Sequence, residues 1–168
     1  MNRALKTLLM LIPGCATGTV ISYQHKPTST LRQTFELNAP ALAPFSVGGV
    51  VVSPELASVS HADRQLVLYL LAARASSVTV QSWSWAATGA AAPAHAGEVR
   101  QAVPVAERAD KGFTGEIVLG ELKNAELETM FTSGPCTLTV TVAPGDGGAD
   151  QTMVFRFERE EREVTGML

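Results

Sequence analysis

Cys136–Val142, reading CTLTVTV, and Met153–Glu158, reading MVFRFE, carry the strongest pattern in the chain. In the first, Cys136, Leu138, Val140 and Val142 share one parity while Thr137, Thr139 and Thr141 share the other. In the second, Met153, Phe155 and Phe157 alternate with Val154, Arg156 and Glu158. Successive side chains of a strand point to opposite faces, so a period of two in β-branched and aromatic residues predicts two half-buried strands. Pro144–Asp150 between them is rich in Gly and Asp, which is turn chemistry, and the three segments together predict an antiparallel hairpin.

The same period recurs upstream. Gln33, Phe35 and Leu37 oppose Thr34 and Glu36, and Phe45, Val47, Gly49 and Val51 continue the alternation, with Gly48-Gly49 read as a bulge or a close backbone approach. Leu66–Leu71, LVLYLL, fits a strand buried on both faces or a short helix; its length and the Ser76-Ser77 break favour a strand. In the next strand, Val78–Trp85, one parity holds Val78, Val80, Ser82 and Ser84 and the other holds Gln81, Trp83 and Trp85. Neither face is purely apolar, so the pattern leaves open which one is buried. Thr88–Gly97, TGAAAPAHAG, reads as a small-residue loop, followed by alternating strands over Glu98–Val105 and Phe113–Leu119. Glu121–Phe131, ELKNAELETMF, has good helix formers and no β-branched residue before Thr129, which predicts a short helix or helical turn ended by Ser133-Gly134-Pro135.

Seven or eight short strands separated by turn signals, with no alternation of strand and long helix, predict an all-β antiparallel β-sandwich of immunoglobulin-like architecture with one short helix. The Cys…Trp…Cys spacing of antibody domains is absent, so the likeness is of architecture only. The 168 residues suffice for one domain with a real core, and 17% charged side chains exclude a strongly charged disordered chain. A formal charge of −3 argues against general nucleic-acid binding, and two cysteines cannot form a scaffold of several disulfides.

The N-terminus reads MNRALKTLLMLIPGC: Arg3 and Lys6, an apolar run over Thr7–Ile12, then Gly14 directly before Cys15. This resembles the signal peptide of bacterial lipoproteins, with Pro13 and the short apolar run as its departures from the usual pattern. The run is far below the roughly 20 residues that span a bilayer, so it is no transmembrane anchor. The resemblance implies that residues 1–14 are a signal peptide, that the Cys15 thiol is diacylated and that the new amino group is acylated. Two or three acyl chains hold a protein on a membrane where one does not. By the resemblance, Ala16 rather than Asp after the cysteine implies the outer membrane, with the domain facing the periplasm. The organisation expected is a signal peptide over 1–14, a lipidated tether over 15–30 with a loosely attached first strand, a sandwich domain over 31–160 and a solvated charged tail over 161–168.

No catalytic motif occurs: there is no GxSxG, P-loop, dinucleotide-binding glycine pattern, HExxH or CxxC. His25, His61 and His95 are far apart in loop-like contexts, and Ser60-His61-Ala62-Asp63 reads as a turn before it reads as a base–carboxylate pair. Gly145–Asp150 has two carboxylates, short of a Ca²⁺ loop, and reads as hairpin loop. Cys136 lies on the apolar parity and reads as a small core residue. Trp83 and Trp85, flanked by Gln81, fit either the core or a candidate recognition surface for a sugar ring or a partner. The expected function is a non-enzymatic envelope lipoprotein that binds another envelope protein as an accessory, assembly or inhibitor/immunity factor, needing no cofactor or metal. The alternative is a carbohydrate or small-ligand module built on Trp83 and Trp85. Substituting Cys15→Ser is expected to move the protein from the membrane fraction to the soluble fraction; an unchanged distribution on fractionation overturns the anchor.

Overall fold

The computed structural model describes residues 15–29, 37–60, 62–109 and 111–167, of which 15–19 and 164–167 are described without their side chains. It holds nine strands: β1 Cys15–Gln24, β2 Ser46–Val47, β3 Val50–Ser58, β4 Asp63–Ala72, β5 Ser76–Ala87, β6 His95–Arg108, β7 Gly112–Lys123, β8 Cys136–Pro144 and β9 Gln151–Met167. A short helix α1 spans Lys26–Ser29, a 3-10 helix spans Pro40–Phe45, and helix α2 spans Asn124–Thr132. The described residues form two compact units, one within Tyr23–Arg159 and a smaller one of residues 15–22 with 160–167. In the smaller unit β1 neighbours the end of β9, so strand occupies both the segment read as a tether and most of the segment read as a charged tail.

The fold is all-β: a curled sheet in the order β1-β9-β8-β5-β6-β7-β4-β3-β2, in which β2 to β9 pair antiparallel. The C-terminal hairpin forms, and the register pairs its apolar parities, with Cys136↔Phe157, Leu138↔Phe155 and Val140↔Met153 facing the core at 0–1% exposure. Strand β6 joins the two halves of the sheet. Its residues from His95 to Val105 pair with β5, whereas Ala106–Arg108 pair with Gly112–Thr114 of β7. Its start at His95 takes the last part of the predicted small-residue loop into the sheet.

Strand β4 is a strand, as its length suggested, and it is buried on both sides. Leu66, Leu68 and Leu70 are fully buried on one face, and on the other Leu71 stands opposite Val51, which packs against Leu42 of the 3-10 helix. A strand covered on both faces reads as an unbroken apolar run because no position is left for a polar side chain. Gly48-Gly49 is a two-residue hairpin turn between β2 and β3, at φ +56° and +76°, rather than a bulge in one strand. Two consecutive positive φ values match the twist of a tight hairpin, and glycine adopts them without a Cβ clash.

The decisive irregularity lies in β5. Between Val80 and Ser82 its register shifts against both neighbours: Val80 opposes Val142, but Ser82 already opposes Thr141. Gln81 is therefore an extra residue, and beyond it the inward parity changes from even to odd numbers. Val78, Val80, Trp83 and Trp85 consequently all face the core, at 0%, 0%, 9% and 0% exposure. Opposite the bulge β6 makes its own adjustment, with Arg100 in the left-handed region at φ 49°.

Helix α2 lies where the helix-forming segment predicted it, and it buries Leu127 and Phe131, one turn apart on the same face. Phe131 meets Tyr23 at 4.7 Å and Trp85 at 6.3 Å between ring centroids. Arg64 of β4 ties this corner together. Its Nε donates to Asn124 Oδ1 at 3.0 Å, its Nη1 donates to the Leu56 carbonyl, and its guanidinium lies 5.2 Å from the Tyr23 ring centroid.

Deleting Gln81 restores strict alternation to β5, which then cannot bury the two valines and the two indoles together. Full burial of one such side chain contributes about 1.5–3 kcal/mol, so the deletion is expected to cost at least ~3 kcal/mol in urea unfolding and to red-shift tryptophan emission. Unchanged emission and stability contradict the assignment.

Candidate functional site

The tryptophans form no exposed stacking platform. Trp85 is fully buried, touching Phe157 edge-on at 5.0 Å. Trp83 lies beside two glycines: a Cβ on Gly97 would come within 2.7 Å of its Nε1, and one on Gly120 within 3.2 Å of its Cζ2. Gln81 is half-buried at the bulge. Of the two readings of Trp83 and Trp85, core or recognition surface, their burial fits the core, because the extra residue turns both indoles inward beside the valines.

The other sequence candidates are placed separately. Cys15 stands in β1 with its side chain outside the described part, and His61 lies outside the described residues. Cys136 is fully buried, and burial pushes its thiol up to about 11, which leaves it protonated and unreactive at neutral pH. Asp63 belongs to a turn: the Ser60 hydroxyl accepts the backbone N–H of Ala62 and Asp63 and donates to Asp63 Oδ2. His95 pairs with Glu126 at 2.7 Å, joining β6 to α2. Asp146 accepts the Gly148 N–H at 3.3 Å within the β8–β9 loop. Among the described residues no cluster of three or more His, Cys, Asp or Glu is arranged to hold a metal ion.

A groove of about 630 Å³ opens at one end of the sheet, where the β2–β3, β4–β5 and β8–β9 turns meet beside Asn38. Its walls are Gly48, Gly49, Ala72–Ser77 and Pro144–Asp146, so most of the lining is backbone and small side chains. Glycine makes this convergence of turns feasible. Gly145 donates its N–H to the Ser77 carbonyl at 2.9 Å, and a Cβ there would run into the Ser77 hydroxyl. A Cβ on Gly48 would come within 2.9 Å of the Pro144 Cβ.

One long cationic side chain lines the groove. Arg74 sits in the turn between β4 and β5, is exposed, and among the described residues pairs with no carboxylate. Among the described residues, Asp146 is the groove's one carboxylate. A planar guanidinium with five donors, set among exposed peptide groups and the hydroxyls of Ser76 and Ser77, suits a carboxylate presented on an extended segment. The sequence reading missed Arg74; the available signal was a lone charge in the small-residue turn ARASS between two apolar strands.

No family model matches the chain, and no curated protein matches it. Among solved structures it is similar to a crystal structure of a protein from Archaeoglobus fulgidus, at 16% identity and a TM-score of 0.34, over 73% of this chain and 99% of that one. Among the described residues no helix is long and apolar enough to cross a membrane.

Gly145→Ala forces a methyl group into Ser77, and overpacking of this kind costs about 1–3 kcal/mol. The expected result is a matching loss of stability in thermal or chemical unfolding; a neutral substitution contradicts the close approach of the two turns.

Proposed function

We propose that this protein is a lipoprotein of a bacterial outer membrane, held by acyl chains on Cys15, whose domain faces the periplasm and binds another envelope protein. Its role in this reading is that of an accessory, assembly or inhibitor/immunity factor, not an enzyme. The order of charge, apolar run and Gly14-Cys15 in the first fifteen residues supports the anchor. A two-layer, immunoglobulin-like sandwich is the finer reading of the curled sheet. It is supported by the way β6 passes from β5 to β7 along its length and by a core built from the inward faces of both halves.

The observation that carries the binding role is the turn-lined groove with Arg74 unpaired at its edge. Turns gathered at one end of a rigid sheet are where such domains present recognition surfaces. The chemistry of the groove favours an acidic, extended segment of a partner over an apolar one. Buried as they are, Trp83 and Trp85 support no carbohydrate-stacking alternative.

Arg74→Glu tests this. The side chain is exposed, so the substitution is expected to leave stability within about 0.5 kcal/mol. In pull-downs from solubilised envelopes, the wild-type protein is expected to recover a stoichiometric partner and the variant to bind it at least about tenfold more weakly, as reversal of an interface arginine does. Equal recovery by both proteins, or no stoichiometric partner for either, overturns the reading.

A further inference from the structure

His25 follows β1 directly and is 4% exposed, yet among the described residues its ring makes a single hydrogen bond. Its Nδ1 lies 3.0 Å from the carbonyl oxygen of Arg156 on β9. A carbonyl only accepts, so Nδ1 carries the proton and Nε2 is the bare nitrogen of a neutral ring. Nε2 is buried with no partner, as is Thr28 Oγ1 three residues later. Aromatic rings surround the imidazole. Phe45 and Phe155 meet it edge-on at 4.8 and 5.2 Å, and Phe157 stands at 6.3 Å.

Among the described residues, the charged groups on the elements packed around it offer a protonated ring nothing. On β9, Arg156 is exposed and Glu158 is engaged in solvent with Lys26 at 3.4 Å and Arg156 at 3.9 Å. Helix α1 carries only Lys26, and the 3-10 helix has no ionisable residue. On β3, Ser53 Oγ donates to the Thr28 carbonyl at 3.2 Å, while Glu55 makes no bond to His25. On β8, Cys136 stays a neutral thiol. Protonation would therefore place a charge among phenyl rings and an N–H on Nε2 without an acceptor. Beside the sheet pairing of β1 with β9, the contacts of this segment include the Ser53–Thr28 bond, the Lys26–Glu158 pair, the tilted packing of Tyr23 on Phe131 and the Arg64 guanidinium over the Tyr23 ring.

We propose that His25 is an acid-released latch on the segment that joins Cys15 to the domain, and that its protonation frees Tyr23–Ser29 while the strands from β3 to β8 stay folded. Burial lowers the His25 pKa below its ordinary 6.5, opposed in part by the bond to Arg156. The unfolded segment then binds protons more readily than the packed one. The latch's stabilisation is thus complete above pH 6.5 and is lost as pH falls from there through the lower folded value. Released, Tyr23–Ser29 become a flexible link of up to ~25 Å along the chain between the strand that carries Cys15 and the domain. Only that use rests on the lipoprotein reading, which the Cys15→Ser fractionation tests separately.

The test is hydrogen exchange by mass spectrometry on the full chain between pH 7.5 and 5.0, corrected for intrinsic rates, with histidine NMR titration alongside. Peptides covering residues 20–29 are expected to lose at least tenfold in protection in step with titration of His25, while β4 and β8 keep theirs. His25→Gln and His25→Phe should abolish the dependence, whereas His95→Gln should keep it. Protection that does not change with pH, a loss that coincides with unfolding of β4 and β8, or the same dependence in a folded His25 variant overturns the proposal. If neither His25 variant folds, the wild-type comparison of segment with body and with the His25 titration still decides it.

Discussion

At Gln81 strand β5 carries one residue more than β8 opposite it, and the arrangement of the core depends on that extra residue. A strand presents alternate side chains to its two faces, so a strictly regular β5 could bury its valines or its tryptophans but not both. The bulge lets Val78 and Val80 pack at one end of the strand and Trp83 and Trp85 at the other, all on the same face. The two indoles then meet layers already defined by β8 and β9: Trp83 beside Val140 and Met153, Trp85 beside Leu138 and Phe155.

Large rings set into a small sheet need room, and glycine supplies it. Gly97 on β6 and Gly120 on β7 lie against the Trp83 indole, where a Cβ on Gly97 would collide with it and one on Gly120 would crowd it. Past Ala106↔Thr114 no further β6–β7 pairing occurs among the described residues, and Gly115 passes so close to the Pro104 carbonyl that a Cβ would not fit. Trp83 fills the seam that this leaves. The same economy of side chains operates at the end of the sheet, where Gly48 and Gly145 let three turns converge and Arg74 stands out among small neighbours.

Polar atoms inside this core are few, and two corners treat them differently. Arg64 is satisfied by Asn124, by the Leu56 carbonyl and by the face of Tyr23, so it locks β3, β4 and α2 together. His25, Thr28 and Trp85 each leave a buried polar atom without a partner. An unpaired buried group costs free energy in the packed state, so the corner around His25 is the less stable of the two and the one where a change of charge has most effect.

The all-β class, the C-terminal hairpin, the doubly buried β4, the site of α2 and the core position of Cys136 were legible in the sequence alone. Each is written in local periodicity or propensity: Cys136–Val142 alternates without interruption, and Asn124–Thr132 lacks an early β-branched residue. Only the tertiary structure decided the facing of Trp83 and Trp85, because one inserted residue inverts parity and a bulge at Gln81 leaves no mark in the pattern of a single strand. Likewise Gly48-Gly49 is as compatible with a bulge as with a hairpin until the partner strand is known, and the burial of His25 depends on Phe45, Phe155 and Phe157 arriving from distant parts of the chain. The groove, built from turns separated by up to about a hundred residues, exists only once the sheet has curled and brought Arg74 beside Asn38 and Asp146.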